Sequence, residues 1–309
     1  MNKKAIQTIA TFYKFADLPE YENWKTKLEQ AGLENNIAGT IILAPEGINA
    51  TISGIKESID IFINFICKDI RFADITPRIT ESTRSAFYRL RIITRPEIVT
   101  LGDPSVNPNK TVGKYVEPED WNALIQDPDV QVIDTRNDYE VSIGTFKGAE
   151  NPNTQIFSEW PDFVEKNLQT KKKQKIAMFC TGGIRCEKAS SQLLENGFDE
   201  VYHLKGGILN YLDKIPAEKS QWDGECFIFD NRVSVVHGLK GGQAKLCFGC
   251  RWPIAEDDLN SPKYEPGVSC PHCYDSLDDK KKLGLRERNR QVNLAKERNL
   301  AHLGFQMPK

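Results

Sequence analysis

This chain of 309 residues has no long hydrophobic run and no large excess of charge of one sign. No apolar run reaches the length of about 18 residues that a membrane-spanning helix needs. Residues 1–8 lack the apolar stretch and the small-residue cleavage site of a signal peptide, so we expect a cytoplasmic protein. Lysine plus arginine (41) nearly equal aspartate plus glutamate (43), which excludes a general polycation and requires any nucleic-acid site to be a local patch.

Cysteine and histidine are scarce, and they do not form the patterns of a disulfide framework or an iron oxygenase. Eight cysteines are too few for a disulfide scaffold in so long a chain, so their clusters indicate metal binding or catalysis in a reducing compartment. The four histidines, at 203, 237, 272 and 302, show no pairing with a carboxylate that would indicate a 2-His-1-carboxylate metal site. No Gly-x-Gly-x-x-Gly fingerprint predicts a flavin or nicotinamide cofactor.

The order of hydrophobic patterns divides the chain into four regions. Residues 1–95 read as strand, helix, two strands, helix and strand, which predicts a ferredoxin-like α+β domain. Its elements are expected at 6–15, 21–30, 38–43, 48–52, 55–67 and 87–94. Residues 96–114 carry prolines and glycines and predict a linker, whereas strand and helix patterns alternate in residues 115–219 and predict a parallel α/β sheet. Residues 220–309 hold a cysteine cluster and a basic tail.

The third region places a cysteine at the end of a short apolar strand. Residues 176–179 are followed by Cys180-Thr181-Gly182-Gly183-Ile184-Arg185 and then by a helical pattern. At the carboxyl end of a parallel strand, backbone N–H groups and a helix N-terminus stabilise a negative charge on sulfur and lower a thiol pKa by about one to five units. Arg185 adds a cation, available to a substrate anion or to the sulfur. The loop predicts a nucleophilic thiolate, and the alternative is a buried structural cysteine beside a glycine turn.

Residues 115–215 resemble a rhodanese domain. The similar residues are the Cys180 loop, Asp134-Thr135-Arg136, Glu140, residues 143–149 with Thr145 where the family usually has histidine, and residues 204–208. The resemblance implies that Cys180 accepts sulfur as a persulfide, with Arg185 as the loop cation and the backbone of Thr181, Gly182, Gly183 and Ile184 around the sulfur. Asp134 and Arg136 are expected either to serve catalysis or to brace the loop as a salt bridge. A cysteine phosphatase of related architecture would need Cys-x5-Arg, whereas the spacing here is Cys180-x4-Arg185.

From about residue 5 to about residue 290, the chain resembles the rhodanese-like tRNA uridine(34) hydroxylases. The motifs that carry this likeness are residues 44–49 (Ala-Pro-Glu-Gly-Ile-Asn), residues 180–189 and the cysteine-rich end. The resemblance implies an oxidoreductase with tRNA as partner and molecular oxygen as co-substrate, which converts wobble uridine to 5-hydroxyuridine. Because cofactor motifs are missing, we expect Cys180 to take the place of a conventional cofactor. One hypothesis is attack of its thiolate at C6 of uracil, which would activate C5 toward an oxidant.

A second thiol, Cys186, follows in the predicted first turn of the next helix. It is expected to be either a redox partner of Cys180 after a local movement or a small packing side chain.

Four further cysteines have the spacing of a structural zinc site. Cys247-x-x-Cys250 and Cys270-Pro271-His272-Cys273 form two Cys-x-x-Cys pairs, which predicts a zinc-ribbon-like site with four sulfur ligands. Four thiolates leave no open position on the metal, so we assign the site to folding and docking. The alternative is four free thiols, or two disulfides formed on isolation.

Basic residues cluster in two places that could contact RNA. Arg89, Arg91 and Arg95 alternate on one face of a predicted strand, and Arg286 and Arg290 share one face of a predicted basic helix near the end of the chain. Either set could track a phosphate backbone. For the helix, a solvated basic surface is the alternative.

Three functions are compatible with the sequence. The first is a tRNA-modifying enzyme, the second is a sulfurtransferase that passes sulfane sulfur from Cys180 to an acceptor, and the third is a noncatalytic, zinc-dependent RNA-binding protein with a vestigial rhodanese domain.

Overall fold

A computed structural model of the chain describes residues 6–83 and 86–298, and it leaves the side chain of Lys296 undescribed. These residues form two compact units, Met1–Lys240 and Gly241–Lys309, the first described from residue 6 and the second to residue 298. The described helices and strands of the first unit are β1 Gln7–Phe15, α1 Tyr21–Glu34, β2 Ala38–Ala44, β3 Gly47–Gly54, α2 Lys56–Cys67, β4 Arg78–Ser82, β5 Leu90–Thr94, β6 Lys114–Val116, α3 Pro118–Ile125, β7 Val130–Asp134, α4 Asp138–Val141, β8 Gly144–Phe146, α5 Trp160–Asn167, β9 Lys175–Phe179, α6 Ile184–Glu195, β10 Val201–Leu204, α7 Gly207–Lys214, β11 Trp222–Gly224, β12 Cys226–Phe227 and β13 Ser234–Val236. At the junction lies β14 Lys240–Gly241, and the second unit contains β15 Lys245–Leu246, β16 Pro253–Ile254, α8 Glu256–Leu259 and α9 Asp279–Glu297.

The N-terminal sheet has the strand order β4-β1-β3-β2-β5. β1 is antiparallel to β3 and β4, and β2 is antiparallel to β3, which is the ferredoxin-like arrangement with α1 and α2 as its two helices. Alternate residues such as Phe12, Ile41 and Ile52 enter one apolar core with helix residues such as Leu28 and Phe62. Because side chains alternate across a strand, Thr11 and Tyr13 lie on the opposite, open face of the sheet.

One strand of this domain was not predicted from the sequence. β4 reads Arg-Ile-Thr-Glu-Ser, with a single apolar residue, so its pattern carries no burial signal. The segment predicted as the final strand instead forms β5, an additional edge strand parallel to β2. The ferredoxin-like class was correct, but its last strand is β4.

The central sheet is parallel, with the order β6-β10-β9-β7. Apolar residues of β9, such as Ile176 and Met178, enter one core, and their neighbours Ala177 and Phe179 enter another on the opposite face. Both faces are therefore covered, as a parallel sheet requires. The carboxyl ends of β7 and β9 lie side by side at one edge, which brings Asp134 next to Phe179.

The segment predicted as a linker, residues 96–114, is not an exposed tether. It has no regular structure before β6, but Leu101 and Val106 are buried in the central core and Glu97 is only 3% exposed. The central body also extends past its predicted end at residue 219, because β11 pairs with β8 and Trp222 packs into the core around Phe146.

The second unit is small and built around its cysteines. Cys247, Cys270 and Cys273 are buried together with Ile254 and Leu277. Helix α9 is long but strongly polar, and no described helix of the protein has the length and apolar content needed to cross a membrane.

Candidate active site

The Cys180 loop curls around the sulfur because its glycines let the backbone approach closely. Gly183 has a φ of +103° and donates its N–H to Cys180 Sγ over 3.1 Å. Gly207 lies so close to the loop that a Cβ there would be 2.5 Å from the Cys180 carbonyl oxygen. The N–H of Ile208 donates to that same carbonyl over 2.9 Å. The residue 204–208 motif thus holds the Cys180 loop in place.

The sulfur of Cys180 is set up to be ionised near neutral pH. Burial alone would raise the pKa of Cys180, but a hydrogen bond from the Cys186 side chain, the charge of Arg185 and the N–H groups of Cys186 and Gly183 outweigh burial and lower the pKa to about 6. Cys180 borders a cavity and is itself 0% exposed, so a reagent has to enter the cavity to meet the sulfur.

Arg185 is held by a buried carboxylate. Its two terminal nitrogens donate to Glu140 over 2.5 and 2.8 Å, and one of them also donates to the Thr181 hydroxyl over 3.3 Å. Burial alone would raise the pKa of Glu140, but the charge and hydrogen bonds of Arg185 lower it. Arg185 therefore faces the sulfur as a fixed cation whose hydrogen bonds are largely used by the protein.

Asp134 and Arg136 form a second buried pair, and both side chains are 0% exposed. Arg136 donates to both Asp134 oxygens, and to the Gly144 carbonyl over 2.6 Å. Thr145, which stands where rhodanese domains usually have histidine, donates its hydroxyl to Asp134 over 2.9 Å. Of the two roles predicted for this pair, the contacts favour bracing of the loop, because its polar atoms point into the protein.

Cys186 lies next to Cys180 and is also completely buried. Burial, together with the hydrogen bond to Cys180 and the charge of that sulfur, raises the pKa of Cys186 well above its ordinary value. Its sulfur lies 3.4 Å from the Thr135 hydroxyl. Cys186 thus stays protonated and donates to the Cys180 thiolate.

Glu187 is a site residue that sequence reasoning did not single out. It stands in the first turn of α6, borders the same cavity as Cys180, and accepts a hydrogen bond from the Tyr13 hydroxyl over 2.7 Å. Tyr115 also donates to it. Burial first, and then the charge of Cys180, raise the pKa of Glu187. The sequence shows that Glu187 follows the Cys180 loop. It does not show the two tyrosines as its partners, because they lie on β1 and β6, far from Glu187 in the chain.

The cavity between the Cys180 loop and the open face of the N-terminal sheet has a volume of about 970 Å³. From the sheet, its wall includes Thr11, Tyr13, Thr40, Asn49 and Thr51. From the central domain, it includes Cys180, Thr181, Gly182, Ile184, Arg185 and Glu187. Its size is near the upper end of ordinary ligand sites, which leaves room for a nucleoside with flanking groups.

Two arginines end a polar row that crosses the open sheet face. By strand register the row runs Arg78, Thr11, Thr51, Thr40, Arg91. Arg78 borders the cavity, and its nearest described acid, Asp213, is 3.8 Å away. Burial lowers the pKa of Arg78.

The three arginines predicted for RNA binding near β5 do not all reach this cavity. Arg95 borders it, and Arg91 shares the open face through its register with Thr40. Arg89 is exposed just before β5.

The four cysteines of the second unit meet in one cluster. Their ligand atoms all lie within 4.8 Å of one another, with Sγ–Sγ distances of 3.7 Å for Cys247–Cys273, 3.7 Å for Cys250–Cys270 and 3.9 Å for Cys270–Cys273. A tetrahedron with zinc–sulfur bonds of about 2.3 Å has edges of about 3.8 Å. The cluster can hold a metal ion, and its donors and spacing fit zinc.

The arginines predicted for RNA binding on α9 both have acidic partners. Arg286 makes two hydrogen bonds of 2.7 Å with Glu265, and Arg290 makes two of 2.8 Å with Glu287. Both side chains are exposed, so these pairs are weak and open to exchange. Lys309, at the end of the predicted basic tail, and His302 lie outside the described residues.

Known proteins match the chain along nearly its whole length. Two family models fit, a UPF0176 acylphosphatase-like domain over residues 7–98 and a rhodanese-like domain over residues 117–214. A tRNA uridine(34) hydroxylase from Acaryochloris marina (strain MBIC 11017) is 51% identical over 95% of this chain and 94% of its own length. Another, from Picosynechococcus sp. (strain ATCC 27264 / PCC 7002 / PR-6), is 55% identical over 87% of this chain and 90% of its own. A solved rhodanese-like domain protein from Staphylococcus aureus covers 32% of this chain and 90% of its own, at 23% identity and a TM-score of 0.27.

These relatives confirm the resemblance predicted from residues 44–49, from the Cys180 loop and from the cysteine-rich end. Each relative matches at least 87% of this chain and at least 90% of its own length. The chain therefore belongs to the tRNA uridine(34) hydroxylase family.

Proposed function

We propose that this protein hydroxylates uridine 34 of tRNA to 5-hydroxyuridine in the cytoplasm, with Cys180 as the nucleophile. The observation that carries the proposal is the Cys180 sulfur, which accepts the Gly183 N–H and borders a nucleoside-sized cavity in a chain of this family. In the overall reaction, uridine, molecular oxygen, two electrons and two protons give 5-hydroxyuridine and water. The electrons come from an external two-electron donor.

The thiolate would act by adding to C6 of the uracil ring. The new C6–S bond moves the C5=C6 electrons toward C5 and the C4 carbonyl, so that C5 becomes nucleophilic toward oxygen. The N–H of Gly183 and the cation of Arg185 keep the sulfur ionised before attack. The protonated Cys186 thiol also stabilises the Cys180 thiolate, by donating a hydrogen bond to it. In the resting protein, Cys186 is better suited to this hydrogen bond than to a disulfide with Cys180.

The open face of the N-terminal sheet is proposed as the surface that receives the tRNA. Arg78 and Arg95 border the cavity and Arg91 lies beside it, so a phosphate backbone could run along the sheet while one base enters toward Cys180. Arg89 continues the same basic edge. Arg286 and Arg290 are proposed as further RNA contacts, for which they would exchange their present carboxylates for phosphates.

We assign zinc to the four-cysteine cluster in a structural role. Cys247, Cys250, Cys270 and Cys273 supply all four ligands, so no position remains for a substrate. Metal analysis of the purified protein should find one zinc per chain, and Cys250→Ser should lower that content. Unchanged zinc in this variant would contradict the assignment.

The proposal is tested by nucleoside mass spectrometry of tRNA from cells that lack this protein and are complemented with variants. Wild type should restore 5-hydroxyuridine derivatives and Cys180→Ala should not. Cys67→Ala is the matched control, because Cys67 lies at the end of α2 and does not border the cavity. Restoration by Cys180→Ala would refute the proposal.

The same experiment covers the sulfurtransferase alternative, which the rhodanese-like match keeps open. Loss of thiolated bases in place of 5-hydroxyuridine would favour sulfur transfer. An unchanged nucleoside profile in cells without the protein would favour RNA binding alone.

A further inference from the structure

We propose that Glu187 is a catalytic base, which removes the C5 proton of the oxygenated uracil adduct while Cys180 leaves C6. The inference rests on the proposed function and adds to it the group that completes the reaction. It follows from the position of a buried carboxyl on the wall of the same cavity as the sulfur.

Glu187 lies close to Cys180 and faces the same space. Both residues border the cavity, and the charge of the Cys180 sulfur acts on the Glu187 carboxyl. The Gly183 N–H donates to the Cys180 sulfur over 3.1 Å, and a Cβ on Gly183 would lie 2.9 Å from the Tyr13 hydroxyl. That hydroxyl donates to Glu187 over 2.7 Å. A uracil ring bonded to Cys180 would therefore have this carboxyl as a neighbour.

The hydrogen-bond partners of Glu187 differ from those of the other buried acids in this region. Glu140 is paired with Arg185, and Glu97 with Lys188, so both act as counter-ions. Glu187 is held instead by the hydroxyls of Tyr13 and Tyr115, which orient a carboxyl without neutralising it. It is thus free to take up and release a proton.

The electrostatics favour the base form at the stage when it is needed. The negative charge of Cys180 is one of the causes that raise the pKa of Glu187, after burial. That charge disappears when the sulfur is bonded to C6, so Glu187 ionises more easily in the adduct. When the thiolate returns, its charge again favours the protonated carboxyl.

The step is an elimination that needs no oxidant. After oxygen has been added, C5 carries a hydrogen and a hydroxyl group, and C6 carries a hydrogen and the sulfur of Cys180. The Glu187 carboxylate takes the C5 proton, the C5–H electron pair forms the C5=C6 double bond, and the C6–S pair returns to sulfur. The products are 5-hydroxyuridine, the Cys180 thiolate and the Glu187 carboxylic acid.

Glu187→Gln is the test, assayed on tRNA with unmodified uridine 34 under oxygen and a two-electron donor. We expect product formation to fall by about 10²-fold or more. We also expect a covalent Cys180–tRNA complex, one oxygen atom heavier than the simple adduct, to accumulate on denaturing gels and in intact mass spectra. Glu187→Asp keeps a carboxylate at a longer distance and should recover part of the activity. In this variant, replacement of the C5 hydrogen by deuterium should slow product formation further.

Controls separate this role from a structural one. Glu165→Gln removes an exposed carboxylate outside the cavity and should leave the rate unchanged. The double variant Cys180→Ala with Glu187→Gln should form no complex. Wild-type rates in Glu187→Gln would overturn the inference. It would also be overturned if Glu187→Gln were inactive without forming the covalent complex and Glu187→Asp were equally inactive. Failure of the proposed function would differ from both, because wild type itself would then form no 5-hydroxyuridine.

Discussion

At the scale of single residues, two buried ion pairs set the geometry around one sulfur. The Asp134–Arg136 pair fixes the loops near Gly144, and the Glu140–Arg185 pair fixes a cation beside Cys180. Such pairs specify position more than they add stability, because each charge loses its hydration on burial. Removing one partner is costly, since it leaves the other charge buried alone.

We predict that Glu140→Gln lowers the free energy of unfolding by about 3–5 kcal/mol. It leaves the Arg185 guanidinium without its carboxylate partner and removes the acceptor of one of its two hydrogen bonds to Glu140, because glutamine keeps a single acceptor oxygen. Urea denaturation would measure the change. Lys173→Ala, which removes an exposed partner of Asp199, should cost no more than about 1 kcal/mol, and equal losses in the two variants would contradict the prediction.

The pH dependence of this stability follows from the sign of the shift. The pKa of Glu140 is lower in the folded protein than its ordinary value, so its stabilisation is complete above the ordinary pKa and is lost as the pH falls toward the folded value. The difference between wild type and Glu140→Gln should therefore shrink on acidification below about pH 4.

At the scale of elements, the sequence predicted the Cys180 loop and both domain classes, because each has a local signature. The strand-end cysteine and its glycines are neighbours in the chain. Apolar residues recur about every 2 residues in a strand and about every 3.6 residues in a helix, so the sequence distinguishes the two. β4 was missed because its pattern is polar. Glu187 was missed because Tyr13 and Tyr115, which hold it, lie on two other strands.

Helix α6 is joined to the N-terminal domain by a cluster of ion pairs around Lys188. Lys188 is 0% exposed and pairs with Glu46 over 2.8 Å and with Glu97. Glu46 belongs to the 44–49 motif and Lys188 to the Cys180 motif, so the two sequence signatures meet in space. Glu46 also accepts the N–H of Ile98 over 2.6 Å, which fixes the segment between the domains.

We predict that Lys188→Met lowers the free energy of unfolding by about 3–5 kcal/mol, because it leaves the buried carboxylate of Glu97 and the partly buried carboxylate of Glu46 without a cation. Differential scanning calorimetry would show a lower melting temperature. Lys56→Met, which removes an exposed partner of Asp60, is the matched control and should change stability by no more than about 1 kcal/mol. A melting temperature like that of the control would contradict the role of the cluster.

At the scale of the whole molecule, a nearly neutral chain has to bind a polyanion through local charge. The formal net charge is −2, yet Arg78 and Arg95 border the cavity and Arg91 lies beside it. The sequence pointed to the β5 arginines, but Arg78 was hidden in the unpredicted β4. Its importance emerges only from the strand order, which places β4 and β5 at opposite edges of one open face.

We predict that Arg78→Gln weakens tRNA binding and reduces the slope of log K against log salt by about 0.7–0.9, the value for one phosphate contact. Fluorescence anisotropy at several salt concentrations would measure both quantities. Lys56→Gln removes a positive charge on α2, away from the cavity, and should leave the slope unchanged. An unchanged slope in Arg78→Gln would exclude a phosphate contact there.

The proposed reaction depends above all on an ionised sulfur at residue 180, which pH-dependent alkylation measures directly. Iodoacetamide labelling, followed peptide by peptide with mass spectrometry, should give Cys180 a midpoint near pH 6 while Cys186 stays unlabelled in the folded protein. A midpoint near the ordinary thiol value of about 8.5, or a Cys180 that no reagent reaches, would contradict it.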